Sequence, residues 1–218
     1  SLEPMDFSPA IVDELSEFPK LMPHFHLPIQ AGSDSTLKRM HRRYTTEEYA
    51  SLVSRIRTCF RHAAITTDVM VGFPDETDED FADSLSFCET MKFTQMHVFR
   101  YSPRDGTPAA KYPNQIPGSV ANSRSQAMIK MGNETAKAFR HEMIGKEMNV
   151  LVERSTDDNG LLCGYTENYI RTAVEVEPRF IGRIVPVRLT GIDGEIMTSE
   201  LLGHTELGAS AKLLPVIG

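Results

Sequence analysis

Apolar and polar residues alternate at period two in three stretches, and at helical spacing between them. In residues 64–77, AITTDVMVGFPDET, Ile65, Thr67, Val69 and Val71 fall on one face and Thr66, Asp68 and Met70 on the other. In residues 24–30, HFHLPIQ, the apolar Phe25, Leu27 and Ile29 alternate with His24, His26 and Gln30. In residues 95–101, QMHVFRY, Met96 and Val98 alternate with Gln95, His97, Phe99 and Tyr101. Each stretch predicts a strand with one greasy face for a covering helix and one face of polar groups. Strands of a doubly wound parallel sheet are apolar on both faces. The polar second face therefore predicts a curved, incomplete parallel barrel around a wet or ligand-filled cavity. Sites in such folds gather at the C-terminal strand ends, here Gln30, Gly72 and Tyr101.

Helical patterns separate these strands. Ser8 or Pro9 opens a short helix with Ile11, Val12 and Leu15 on one side, and another runs around residues 36–40. Thr45 with Glu48, and Thr77 with Asp80, form capping boxes before runs of helical spacing. Residues 112–118 carry two prolines and no period, so they read as a connector. A long amphipathic helix over 119–143 carries Met128, Met131, Phe139 and Met143, a stripe that reads as adaptable core. Strand–helix alternation of this kind implies a parallel sheet.

At Gly145 the pattern changes. Five short strand-like runs, 148–153, 161–165, 169–176, 184–189 and 196–199, are separated by Gly, Asn and Asp turns with no helix between them. They predict a small all-β antiparallel barrel of the oligonucleotide-binding kind. The expected organisation is 1–144 as the end of a partial, TIM-like parallel β/α barrel, 145–206 as the small barrel, and 207–218 as a loose tail. Because Ser1-Leu2-Glu3-Pro4 reads like a strand already under way, the chain is expected to be a piece of a longer protein.

Composition narrows the partners. The chain is 40% hydrophobic and 24% charged, and no apolar run approaches membrane-spanning length. Cys59, Cys88 and Cys163 are scattered, which argues for a reducing, cytoplasmic setting and against a disulfide framework. The net charge of −7 gives no general attraction to nucleic acid. Even the expected small barrel carries eleven acidic against six basic residues, yet four of the six, Arg171, Arg179, Arg183 and Arg188, lie close in sequence beside Tyr169 and Phe180. A basic and aromatic patch holds a phosphate backbone; the alternative is a solvated face. His24 and His26 share a strand face but lack a third ligand at recognisable spacing, so they read as hydrogen-bonded cavity histidines rather than metal ligands. Asp68, on the polar face near Gln30, Thr66 and Tyr101, would hold a ribose or an amino-acid group, or else a buried hydrogen-bond network.

The motifs HFHLPIQAGSD, TTDVMVGFPDETDEDF, HVFRYSPRDGTPAA and GYTENYIR resemble those of the radical S-adenosylmethionine methylthiotransferases, most closely the branch acting on threonylcarbamoyladenosine in tRNA. The resemblance implies a transferase that adds a methylthio group beside the tRNA anticodon. It implies S-adenosylmethionine and [4Fe-4S] clusters as cofactors, and a TRAM domain that presents tRNA. Gln30, Asp68, the turn Val71-Gly72-Phe73 and Tyr101 would line the cofactor pocket, with exposed backbone at Gly72 meeting the adenine. Arg171, Arg179, Arg183 and Arg188 would meet phosphates. The chain has no C-x-x-x-C-x-x-C, so cluster ligands and catalytic residues are unassigned, the cluster-bearing regions are expected upstream, and the chain alone is expected to be inactive. Asp75 stands where the family pattern VGFPGET has glycine. A relative that methylthiolates a ribosomal protein, and a non-catalytic RNA-binding module, are the alternatives.

Overall fold

The computed structural model describes residues 2–203, so the expected tail lies outside the described residues. The chain forms two compact units, dividing between Ala136 and Lys137.

In the first unit, β1 (His24–His26), β2 (Ala64–Val71) and β3 (Gln95–Arg100) form a parallel sheet in the order β1-β2-β3. Helix α1 (Pro9–Ser16) precedes the sheet, and α2 (Asp34–Arg39), α3 (Thr46–Cys59) and α4 (Asp78–Met91) supply the crossovers that parallel pairing requires. Both capping boxes form. The Thr45 hydroxyl accepts from the Glu48 amide while the Glu48 carboxylate accepts from the Thr45 amide, and Thr77 and Asp80 repeat the exchange at α4.

Regular pairing of β1 is shorter than the alternation, because Pro28 has no N–H to give. The segment nevertheless stays in register. The Leu27 amide donates to the Thr66 carbonyl and the Gln30 amide to the Asp68 carbonyl, each at 2.9 Å. Across the proline, the Thr67 hydroxyl donates to the Leu27 carbonyl at 2.7 Å and accepts from the Ile29 amide at 2.9 Å. The one polar residue on the apolar face of β2 is thus consumed by backbone. Around it, Phe25, Leu27, Ile29, Ile65, Val69 and Val71 are buried in one core. That core also holds Tyr49, Leu52, Val53 and Ile56 of α3, Cys88 of α4, and Met128 and Met131 of α5 (Gly118–Met143).

The second unit contains β4 (Glu147–Thr156), β5 (Leu162–Thr166), β6 (Arg171–Val174), β7 (Ile184–Asp193) and β8 (Ile196–Leu201), closed in the order β4-β5-β6-β8-β7. Its interior is Val150, Val152, Val174, Val185, Val187, Leu189 and Met197, with Met143 and Phe180. The barrel is not antiparallel throughout, as the strand pattern predicted: β6 and β8 pair in parallel at Thr172 and Met197. Five strands in a closed ring cannot all run opposite to both neighbours, so one parallel pair is a consequence of closure.

Candidate functional site

The second face of the sheet carries the polar side chains. Register places His26 beside Thr66, Asp68 beside His97, and Met70 beside Phe99. The Thr66 hydroxyl lies 3.0 Å from His26 Nδ1 and 3.3 Å from His24 Nε2, and His26 Nε2 lies 3.5 Å from an Asp68 carboxylate oxygen. The His26 and His97 rings meet edge-on with centroids 6.3 Å apart. Burial, with the neighbouring His26 adding to it, holds the His24 imidazole below its usual range, so this end of the cluster stays neutral near pH 7. His24, His26, Asp68 and Tyr101 are all half-buried, whereas the opposite face is closed by helices. Among the described residues, no three His, Cys, Asp or Glu side chains are grouped to hold a metal ion.

At the C-terminal strand ends the expected residues converge, with two corrections. The Met70 amide donates to the Gln30 carbonyl at 2.8 Å, the Tyr101 amide donates to the Val71 carbonyl at 2.9 Å, and the Phe73 and Tyr101 rings meet edge-on at 5.1 Å. The Tyr101 hydroxyl oxygen is buried and has no hydrogen-bond partner among the described residues. Val71, however, points its side chain into the apolar core and offers the polar side only backbone. Gly72 is buried rather than open to a ligand. Its amide is taken by Glu76 at 2.5 Å, and a Cβ there would stand 2.8 Å from the Ala121 Cβ, so the close approach that needs glycine is helix α5's.

Glu76 is the hub of this turn. Arg124 of α5 donates to its carboxylate at 2.8 Å and to its carbonyl at 3.0 Å, while the second guanidinium nitrogen reaches Asp78 at 2.7 Å. Burial pushes the Glu76 carboxyl up from its usual range, opposed by the Gly72 amide and by Arg124. Asp75 adopts φ +64°, which explains why glycine suits the position. Here the aspartate is held by Asn114, whose side-chain amide donates to it at 2.6 Å and whose carbonyl accepts the Asp75 amide at 3.1 Å.

The loop after β1 is fixed by a second buried carboxylate. Asp80 accepts from the Ser33 and Ser35 hydroxyls, from Arg39 at 2.7 Å and from the Thr77 amide at 3.0 Å. Burial alone would raise its carboxyl, but these donors outweigh burial and hold it well below the usual carboxylate range. A depressed carboxylate contributes stability that is complete above its unfolded value of about 4 and is lost as pH falls toward its folded value. Urea unfolding of the wild type is therefore expected to lose stability progressively below about pH 4, and Asp80→Asn to be weaker at pH 7 but flatter over that acid range.

The four arginines of the second unit do not form one bare patch. Arg188 is clamped between Glu147 at 2.8 Å and Glu200 at 3.0 Å. Arg179 pairs with Glu177 at 3.0 Å and lies over the Phe180 ring at 5.3 Å. Arg171 donates to the Thr156 carbonyl at 3.4 Å, and Arg183 sits half-buried just before β7. Five residue steps of extended chain, about 16 Å, separate Arg183 from Arg188. What sequence reasoning missed here is aromatic: Tyr165 and Tyr169 stack with centroids 4.5 Å apart and planes 15° apart. It also missed Arg124, whose only sequence signal is a basic residue on the expected inner stripe of a long helix. Two concave pockets, of about 620 and 460 Å³, include none of the strand-end residues.

Comparison with known proteins accounts for both units. Residues 1–88 match the Radical SAM superfamily and residues 141–202 the TRAM domain. A tRNA-2-methylthio-N(6)-dimethylallyladenosine synthase from Pelotomaculum thermopropionicum is 41% identical over 189 residues, covering 86% of this chain and 42% of that protein. The threonylcarbamoyladenosine tRNA methylthiotransferase MtaB of Bacillus subtilis is 34% identical over 192 residues, covering 87% and 43%. The chain thus spans about two fifths of the length of these relatives. Among solved structures, coproporphyrinogen III oxidase (HemN) from Escherichia coli, a radical SAM enzyme, shares the fold. Its TM-score is 0.52 at 14% identity, over 86% of this chain and 45% of that one.

Proposed function

We propose, for a chain that belongs to the radical SAM methylthiotransferases, that it forms the cofactor-facing strand ends and the RNA-presenting barrel of an enzyme that methylthiolates an N6-modified adenosine of tRNA. The observation that carries this reading is the coincidence of two features in one chain. One is a parallel sheet whose polar face and C-terminal ends bring together the half-buried Gln30, Asp68 and Tyr101; the other is a closed TRAM barrel. S-adenosylmethionine suits the residues present. Asp68, a half-exposed carboxylate steadied by His26, would accept hydrogen bonds from ligand hydroxyls or an ammonium group. The Tyr101 ring, braced edge-on by the buried Phe73 ring, would meet a planar base, and the buried Tyr101 hydroxyl would gain the partner it lacks. When bound, this cofactor supplies the radical and the methyl group.

An iron–sulfur cluster does not suit the described residues. Cys88 and Cys163 are buried, Cys59 is half-buried, and they do not gather. Burial pushes the Cys88 thiol up to about 12 and raises that of Cys163 as well, the opposite of what a thiolate ligand needs. We therefore assign no cluster ligand in this chain and expect it to be inactive by itself in the cytoplasm.

Within the family we favour N6-threonylcarbamoyladenosine as the substrate, on the likeness of the ITTD and HVFRYSPRDGTPAA segments to that branch. N6-dimethylallyladenosine is the second reading, because several relatives carry that name. The test is an in vitro assay of the whole gene product, reconstituted anaerobically and given S-adenosylmethionine with tRNA bearing either nucleoside. Methylthiolation of the threonylcarbamoyl form is expected. Reaction of the dimethylallyl form alone would move the assignment, and reaction of neither would refute it.

A further inference from the structure

The tip of the β5–β6 hairpin is built around an aromatic side chain in a conformation that disfavours it. Tyr169 has φ +65° and is 56% exposed. A bulky residue at positive φ is an outlier that its surroundings must impose. They do so with buried polar groups. The Thr166 hydroxyl donates to the Asn168 side-chain oxygen at 2.6 Å and accepts from the Ile170 amide at 2.9 Å. The Tyr169 amide donates to the Thr166 carbonyl at 2.9 Å, and the Thr166 amide to the Ile170 carbonyl at 3.0 Å. Asn168 is 1% exposed and Thr166 is buried. Glycine would meet this backbone demand without strain. The tyrosine ring is instead held out on a fixed turn and stacked on Tyr165. Arg171 lies next to Tyr165 in the β5–β6 register. A rigid aromatic stack whose outer ring, Tyr169, is exposed over the half-buried Tyr165, beside a guanidinium, is the arrangement on which unpaired bases stack, because every base offers a π face and the cation answers the phosphate.

We infer that Tyr169 on Tyr165 is a stacking platform for one unpaired nucleobase of an RNA, with Arg171 contacting the adjacent phosphate. This rests on the RNA reading above and deepens it. The platform predicts that base stacking and phosphate attraction separate experimentally. Stacking is worth about 1–3 kcal/mol per base, or roughly five- to 150-fold in affinity, and carries no charge, so it leaves the salt slope alone. Each phosphate contact contributes about 0.7–0.9 to the slope of log affinity against log salt.

The experiment uses the full chain and a fluorescein-labelled RNA hairpin with a seven-nucleotide loop, read by anisotropy across a salt series. Tyr169→Gly is expected to weaken binding at least about five-fold with an unchanged slope and an undiminished melting temperature, and Tyr169→Phe to bind as wild type. Arg171→Ala is expected to weaken binding and flatten the slope by nearly one. An abasic loop should bind wild type as weakly as Tyr169→Gly binds the intact loop. If the wild type binds the hairpin and Tyr169→Gly binds it equally, the platform is overturned while the RNA reading stands. If the wild-type chain binds no RNA at any salt, the RNA-binding role assigned to this barrel falls, and the platform with it.

Discussion

Gly164→Ala is expected to unfold the second unit or come close to it. A Cβ at residue 164 would overlap the Leu151 carbonyl oxygen and lie 2.7 Å from a Val150 methyl. The first of these is backbone of the neighbouring strand, paired with β5 in the barrel ladder, so no rotamer change relieves it. Overpacking a core costs about 1–3 kcal/mol when side chains yield. Here strands β4 and β5 must separate, and about 3 kcal/mol or more is expected, a large part of the stability of a unit this small. Circular dichroism melts of Gly164→Ala should show the barrel transition lost or lowered by many degrees. An unchanged melt would mean that the two strands are not packed as described.

Arg124→Ala should be the most damaging change in the first unit. Its guanidinium is 7% exposed and its partner carboxylate on Glu76 is 1% exposed, so removing it leaves a desolvated charge beside the Gly72 amide. Breaking a buried pair from one side costs about 3–5 kcal/mol. The exposed half of the contact, Arg124 to Asp78, adds little, since Asp78 is fully open to solvent. Arg124→Ala combined with Glu76→Gln should therefore be less destabilised than Arg124→Ala alone, because the orphaned charge is gone. Urea midpoints of the two variants measure this difference.

The larger outlines were legible in the sequence because they depend on periodicity. Alternation gave both faces of β2, the two capping boxes gave the starts of α3 and α4, and the five short runs after Gly145 gave the five barrel strands. What was hidden depended on pairing at long range. Thr67 reads as an unexplained polar residue on an apolar strand face until the missing N–H of Pro28, distant in the chain, shows which backbone it serves. Gly72 reads as a ligand cradle until Ala121 is found against it. The arginine cluster was close in sequence but is dispersed by strand geometry and answered by its neighbour Glu177 and by Glu147 and Glu200, whose positions in the ladder no local pattern reveals. The tyrosine stack was visible only as two residues four apart, a spacing that means nothing until the hairpin turn is known.

The central claim is that the polar strand ends serve methylthiolation of tRNA. Its most direct test is nucleoside mass spectrometry of tRNA from a strain lacking the gene that encodes this chain, complemented with the wild-type gene or with Asp68→Ala. The account predicts that 2-methylthio-N6-threonylcarbamoyladenosine disappears from the null strain, returns with the wild type, and stays absent with Asp68→Ala while that variant accumulates at a normal level. An unchanged nucleoside profile in the null strain, or full restoration by Asp68→Ala, would contradict it.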